Sequence, residues 1–129
     1  MLSGKIHRAT ITQCDPDYVG SITIDADLLE ATGMLPNEKV LVACMDNAAR
    51  FETYIIHGER GTGVIGINGA AAHMVEVGQK VIIMSFGQYQ PSELEDHDAR
   101  VVVVDEQNRV SQLLRYASRL TDPALDAGV

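Results

Sequence analysis

A chain of 129 residues is one domain by length and long enough to bury a core without disulfide staples. Its 10 Lys and Arg against 18 Asp and Glu leave a formal net charge of −8, which argues against binding a nucleic-acid backbone. No run approaches the ~18 apolar residues of a membrane helix, and Met1–Arg8 lacks the apolar segment of a secretory signal, so a cytoplasmic, membrane-free protein is expected.

In chain order, Lys5–Thr12 is rich in β-branched residues and predicts a strand with Lys5 and His7 on one face. Cys14–Asp17 is turn chemistry. Tyr18–Ile24 predicts an extended segment interrupted at Gly20-Ser21. A short helix follows, with Asp25 as N-cap, Leu28, Leu29 and Ala31 on its apolar side and Gly33 as its stop. Lys39–Met45 reads as a buried strand, ended by the turn Asp46-Asn47-Ala48. Arg50–Gly58 is the next, with Phe51, Thr53 and Ile55 on one face and Arg50, Glu52 and Tyr54 on the other. A turn at Arg60–Gly63 leads into the strand Val64–Asn68, and small residues fill Gly69–Ala72. Lys80–Phe86 is an uninterrupted apolar strand.

Beyond Gly87 an acidic loop, Glu93–Asp98, precedes a strand at Arg100–Asp105. The spacing of Leu113, Leu114, Ala117 and Leu120 predicts an amphipathic helix over 111–121, and Ala124–Val129 is expected to fray. Many short strands with glycine turns and one or two short helices make the chain mainly β, a small closed barrel. Cys14 and Cys44 form no CxxC and are expected to be reduced. His7, His57, His73 and His97 are scattered without ligand spacing, so no metal is expected.

The Gly20-Ser21 bond carries the one sharp chemical hypothesis. Gly20 can adopt backbone angles closed to other residues, so the peptide before Ser21 can be held under strain. The Ser21 hydroxyl could attack the Gly20 carbonyl carbon and shift the acyl group from nitrogen to oxygen. Elimination from the resulting ester would cut the chain, and hydrolysis would leave a pyruvoyl group on residue 21. An ordinary turn entering a strand is the alternative on these residues alone.

Four stretches bear on that choice: Lys5-Ile6-His7-Arg8-Ala9-Thr10, Asp17–Asp25, Arg50-Phe51-Glu52-Thr53-Tyr54 and Asn68-Gly69-Ala70-Ala71-Ala72-His73. Their order and approximate spacing resemble those of the bacterial aspartate 1-decarboxylases, pyruvoyl enzymes that make β-alanine for pantothenate synthesis. The resemblance runs over residues 1–86. It implies a double-psi β-barrel core over 1–86, with 87–129 as an extension holding a strand and a short helix on the same domain. It further implies self-cleavage between Gly20 and Ser21, product chains 1–20 and 21–129, and a homotetramer with each site near a subunit boundary. Maturation is compatible with a helper protein.

The implied substrate is L-aspartate, whose amine would form a Schiff base with the covalent pyruvoyl group derived from Ser21. By the resemblance Tyr54 is the proton donor, Lys5 balances substrate charge, and Thr53 and Asn68 serve the processing site. His7 and Tyr18 are supporting residues. Gly69, Ala70 and Ala71 would present backbone N–H groups to the ligand. Arg50 shares the Tyr54 face and suits the retained side-chain carboxylate, because a tight ion pair on the departing carboxylate would slow its loss. Thr53 points opposite Tyr54 on a regular strand, so one of the two roles needs a bulge or a shared boundary. Ala43 stands where some family members carry a bulky aromatic. Two alternatives remain at this stage: an unprocessed barrel acting as a binding or assembly module, and a pyruvoyl decarboxylase for another amino acid such as glutamate.

Overall fold

The computed structural model describes residues 1–120. Among them the chain forms nine strands: β1 (Leu2–Thr10), β2 (Gln13–Asp15), β3 (Ser21–Asp25), β4 (Lys39–Cys44), β5 (Arg50–Gly58), β6 (Ile65–Asn68), β7 (Lys80–Phe86), β8 (Asp98–Val104) and β9 (Val110–Ala117). One helix, α1 (Ala26–Thr32), and 3₁₀ turns at Gly69–His73 and Pro91–Glu93 complete it. Among the described residues no helix is long and apolar enough to cross a membrane.

The strands run β2-β6-β3-β5-β4-β7-β1-β8-β9 across the sheet. Between β1 and β2 the backbone bonds both ways: Ile11 N–H donates to Gln79 O at 2.9 Å and Thr12 N–H to Ile65 O at 2.8 Å. The bent strand β1–β2 therefore joins the β7 side of the sheet to β6 and completes a barrel. Within it β3 lies parallel to β5 and β2 parallel to β6, while β3–β6, β4–β5, β4–β7 and β1–β7 are antiparallel. These interleaved crossings are those of a mainly β, double-psi barrel with short helices. Its interior is aliphatic: Ile6, Ile22, Ile24, Ile55, Ile67 and Ile83 are fully buried, each contributing about 1.5–3 kcal/mol.

The β1 register against β7 shifts at two places, between Leu2 and Gly4 and again between Ile6 and Ala9, where Arg8 takes φ 67°. The bulge reverses the parity of the strand, which is why Ile6, Ala9 and Ile11 are all buried.

The α1 signals act as expected. The Asp25 carboxylate accepts from Asp27 N–H at 2.8 Å, and Gly33 ends the helix at φ 79°, donating its N–H to Leu29 O. Asp25 does more than cap. Buried at the end of β3, it also accepts from Gly61 N–H at 3.0 Å and Gly63 N–H at 2.8 Å, so one carboxylate ties strand, helix and the 60s turn together. Burial pushes its pKa up, but the three backbone N–H groups and nearby Arg109 outweigh burial and hold it below the ordinary carboxylate value. A carboxylate with a depressed folded pKa stabilises fully above the unfolded value of about 3.9, and that stability is lost as pH falls through the folded pKa. Asp25→Asn should therefore cost about 2–3 kcal/mol at neutral pH and flatten the acid limb of the stability profile. Urea unfolding of both proteins between pH 3 and 7 checks this; parallel profiles would contradict it.

Three expectations need correction. β3 begins at Ser21 rather than Tyr18, so the Gly20–Ser21 peptide is the junction of loop and strand. Cys14 and Asp15 belong to β2, where they pair with β6. The helix expected over 111–121 is instead β9, antiparallel to β8 from Asp98↔Ala117 to Val104↔Val110. The physical reason is the connection Asp105–Arg109, a tight hairpin turn. The Asp105 carboxylate accepts from the N–H groups of Gln107 and Arg109 at 2.9 Å, and Asn108 takes φ 60°. The extension thus holds a β-hairpin and a 3₁₀ turn. Residues 121–129, including the expected fraying of Ala124–Val129, lie outside the described residues.

That hairpin turn also grips the barrel. Buried Asn108 accepts from Thr10 N–H at 2.8 Å and donates to Thr10 O at 2.8 Å and Gly63 O at 2.7 Å, behaving as a short strand partner. β8 itself lies parallel to β1.

Candidate active site

Ser21 opens β3 at 1% exposure, opposite Asn68, the last residue of β6. Its Oγ donates to Val19 O at 3.2 Å and accepts from Asn68 Nδ2 at 2.8 Å. The same amide nitrogen donates to Thr23 Oγ1 at 3.1 Å. Asn68 is thus held between two hydroxyls two residues apart on one strand face, which fixes its amide. Thr23 went unnoticed in the sequence, although its spacing from Ser21 was the available signal.

The loop ahead of Ser21 packs on the turn after Asn68. Gly69 has φ 75°, and a Cβ there would lie 2.6 Å from Gly20 Cα, 2.9 Å from Gly20 N and 3.4 Å from Tyr18 O. Only glycine admits that approach. Ala70 is exposed and Ala71 half-buried. The Tyr18 side chain is exposed and its backbone N–H donates to Asp15 O at 3.3 Å.

β5 flanks this cluster. Its parallel register with β3 starts at Ile22↔Ile55. One residue back along each strand stand Ser21 and Tyr54, and two back Gly20 and Thr53. β5 carries no bulge against β4, where Lys39↔Tyr54 runs regularly to Ala43↔Arg50. Thr53 and Tyr54 therefore do have opposite parity. Ahead of the point where β3 joins β5, both nevertheless border one groove of about 290 Å³, together with Lys39 and Glu52. No bulge is needed to bring the two to a common space.

Arg50 lies exposed at the start of β5, across from Ala43 and on the Tyr54 side of the strand. Lys5 and His7 are elsewhere. They are half-buried on β1, with β4 and β7 between them and β5, about 14 Å away by strand spacing. His7 Nδ1 is buried without a hydrogen-bond partner. Burial, then Lys5 and Arg8, lower the pKa of His7, favouring the neutral ring. Within one chain, then, Tyr18, Gly20, Ser21, Asn68 and Gly69 converge, Thr53 and Tyr54 adjoin them, and Lys5 and His7 stand apart. Among the described residues no group of three His, Cys, Asp or Glu side chains is arranged to hold a metal ion. Cys14 and Cys44 form no disulfide.

Known proteins resemble this chain over most of its length. Aspartate 1-decarboxylase of Bacillus subtilis is 54% identical over 114 residues, covering 88% of this chain and 90% of that one. The Lactiplantibacillus plantarum protein of the same name is 55% identical over 116 residues, covering 90% and 89%. Among solved structures, a rationally designed protein gives a TM-score of 0.49 at 18% identity, covering 67% of this chain and 96% of that one, which is too weak to add to the fold. The family model described as aspartate decarboxylase matches residues 1–111, and the chain belongs to that family.

Proposed function

We infer that this protein decarboxylates L-aspartate to β-alanine and carbon dioxide, with a carbonyl made from its own Ser21. The observation that carries this reading is the buried Ser21 hydroxyl held by Asn68 at 2.8 Å, beside Thr53 and Tyr54, in a member of the aspartate decarboxylase family. A pyruvoyl group fits residue 21: serine has the β-hydroxyl that must be lost, and Gly69, lacking a Cβ, lets the Gly20 side of the bond pack against the turn after Asn68. Such a group supplies a ketone for the substrate amine and a sink for the electrons released with carbon dioxide.

The cut that makes it uses this chain's own atoms. Ser21 Oγ attacks the Gly20 carbonyl carbon, the C–N bond breaks, and an ester remains. Loss of the Ser21 α-proton expels the Gly20 carboxylate, and water replaces the residual nitrogen as ammonia. Asn68 holds the Oγ in place, and the Thr53 hydroxyl, on the strand that neighbours β3, is suited to meet charge developing on that carbonyl.

In turnover, Tyr54 delivers a proton to the carbon that carbon dioxide leaves. Arg50 binds the carboxylate that is kept, leaving the departing one without a tight partner. Gly69, Ala70 and Ala71 offer backbone N–H groups at the substrate's edge. The distance of Lys5 and His7 from Tyr54 within one chain favours a homotetramer in which a neighbouring copy brings them to the site. The product would feed pantothenate and coenzyme A synthesis in the cytoplasm.

Borohydride reduction of the protein with L-aspartate, read by intact mass, tests the reading. Chain 1–20 should separate from chain 21–129, with the amine adduct on the longer piece. A single uncut 14.0 kDa chain without adduct would overturn it, and an adduct formed with L-glutamate in preference would reassign the substrate.

A further inference from the structure

We propose that Lys39 is a positioning residue that holds Glu52 away from Arg50, keeping the Arg50 guanidinium available for the substrate carboxylate. The inference rests on the reading of Arg50 given above. Arg50, Glu52 and Tyr54 alternate along the same exposed side of β5, roughly 7 Å apart at each step. The Glu52 carboxylate thus stands between the guanidinium and the phenol, within side-chain reach of Arg50. Left alone, it would compete with any anionic ligand for that cation and repel a second carboxylate at the groove.

The observed pairing is different. Glu52 Oε2 lies 2.6 Å from Lys39 Nζ, and among the described residues Arg50 makes no ion pair. Lys39 is directly opposite Tyr54 in the β4–β5 ladder and reaches Glu52 diagonally. The pair borders the 290 Å³ groove of Thr53 and Tyr54 and also an adjoining cavity of about 520 Å³ lined by Met1, Leu41 and Phe86. It therefore sits on the threshold of the groove. Both side chains are well exposed, 75% and 58%, so the pair adds little to stability. Its consequence lies in which partner Glu52 occupies.

Lys39→Met, Lys39→Arg and Lys39→Met/Glu52→Gln, assayed as the matured enzyme with L-aspartate, test the assignment. Lys39→Met should raise KM about fivefold, the scale of one exposed ion pair, with kcat within about twofold and cleavage at Gly20–Ser21 unchanged. The rise should shrink at high ionic strength. Lys39→Arg should keep the parental KM, and the double variant should recover it. An unchanged KM in Lys39→Met, or a double variant with KM still raised, overturns the proposal. If Arg50→Ala raises KM while Lys39→Met does not, the Arg50 reading survives and only the role of Lys39 falls. If Arg50→Ala leaves KM unchanged, both fall.

Discussion

Ser21→Ala should accumulate as one uncut chain of about 14.0 kDa that releases no carbon dioxide from L-aspartate. Alanine has neither the oxygen that attacks the Gly20 carbonyl nor the leaving group that the later elimination expels. The substitution is small in every other respect. It removes the hydrogen bonds to Val19 O and from Asn68, a loss of about 1–3 kcal/mol, and leaves the isoleucine core untouched. The variant should therefore fold, and circular dichroism alongside intact mass separates failed chemistry from failed folding. A folded Ser21→Ala protein that decarboxylates at the parental rate would end the account of Ser21 as the source of the carbonyl.

Gly69→Ala should be the next most damaging change, although Gly69 contributes no side chain. Its φ of 75° costs an L-residue about 1–2 kcal/mol. The added methyl would also lie 2.6 Å from Gly20 Cα and 2.9 Å from Gly20 N, well inside contact distance. The turn or the Gly20–Ser21 peptide must move, and a displacement of about 1 Å at a reacting centre can cost 10²-fold. Cleavage should slow by at least about that factor while the protein stays folded. A time course of the cut and uncut fractions on denaturing gels, with a thermal melt for the fold, measures both. Parental cleavage kinetics in Gly69→Ala would show that the close packing of turn on loop has no part in maturation.

How much of this was legible beforehand follows from the range of the interactions involved. The Asp25 cap and the Gly33 stop are local, set within a turn of helix, and were readable from residue type. The alternation of Arg50, Glu52 and Tyr54 was readable for the same reason, since a strand repeats every second residue. Distant partners decide the rest. Leu113, Leu114 and Ala117 satisfy a helical spacing, yet β8 offers a complete antiparallel edge and the Asp105–Asn108 turn returns the chain to it. That turn could have been suspected from Asp105 and Asn108 alone; the grip of Asn108 on Thr10 and Gly63 could not.

The site divides along the same line. Gly20-Ser21 and Asn68-Gly69 stood out as motifs, but their meeting depends on the β3–β6 register. The parity conflict between Thr53 and Tyr54 was a sound deduction about a strand interior. It dissolves where β5 runs ahead of its β3 partner, so that neighbours of opposite parity border one open groove. Lys5 and His7 share a face as expected, and only the strand order reveals that two strands intervene before β5.

The start of β3 at Ser21 bears on what survives a break there. Severing Gly20 from Ser21 would leave the β3–β5 ladder whole and the β3–β6 ladder intact from Ile22 onward, because neither reaches back past the cut. The shorter piece would keep β1, wedged between β7 and β8, and β2 along β6. Such a nick would leave two polypeptides sharing a single hydrophobic interior, neither able to depart without unzipping the barrel.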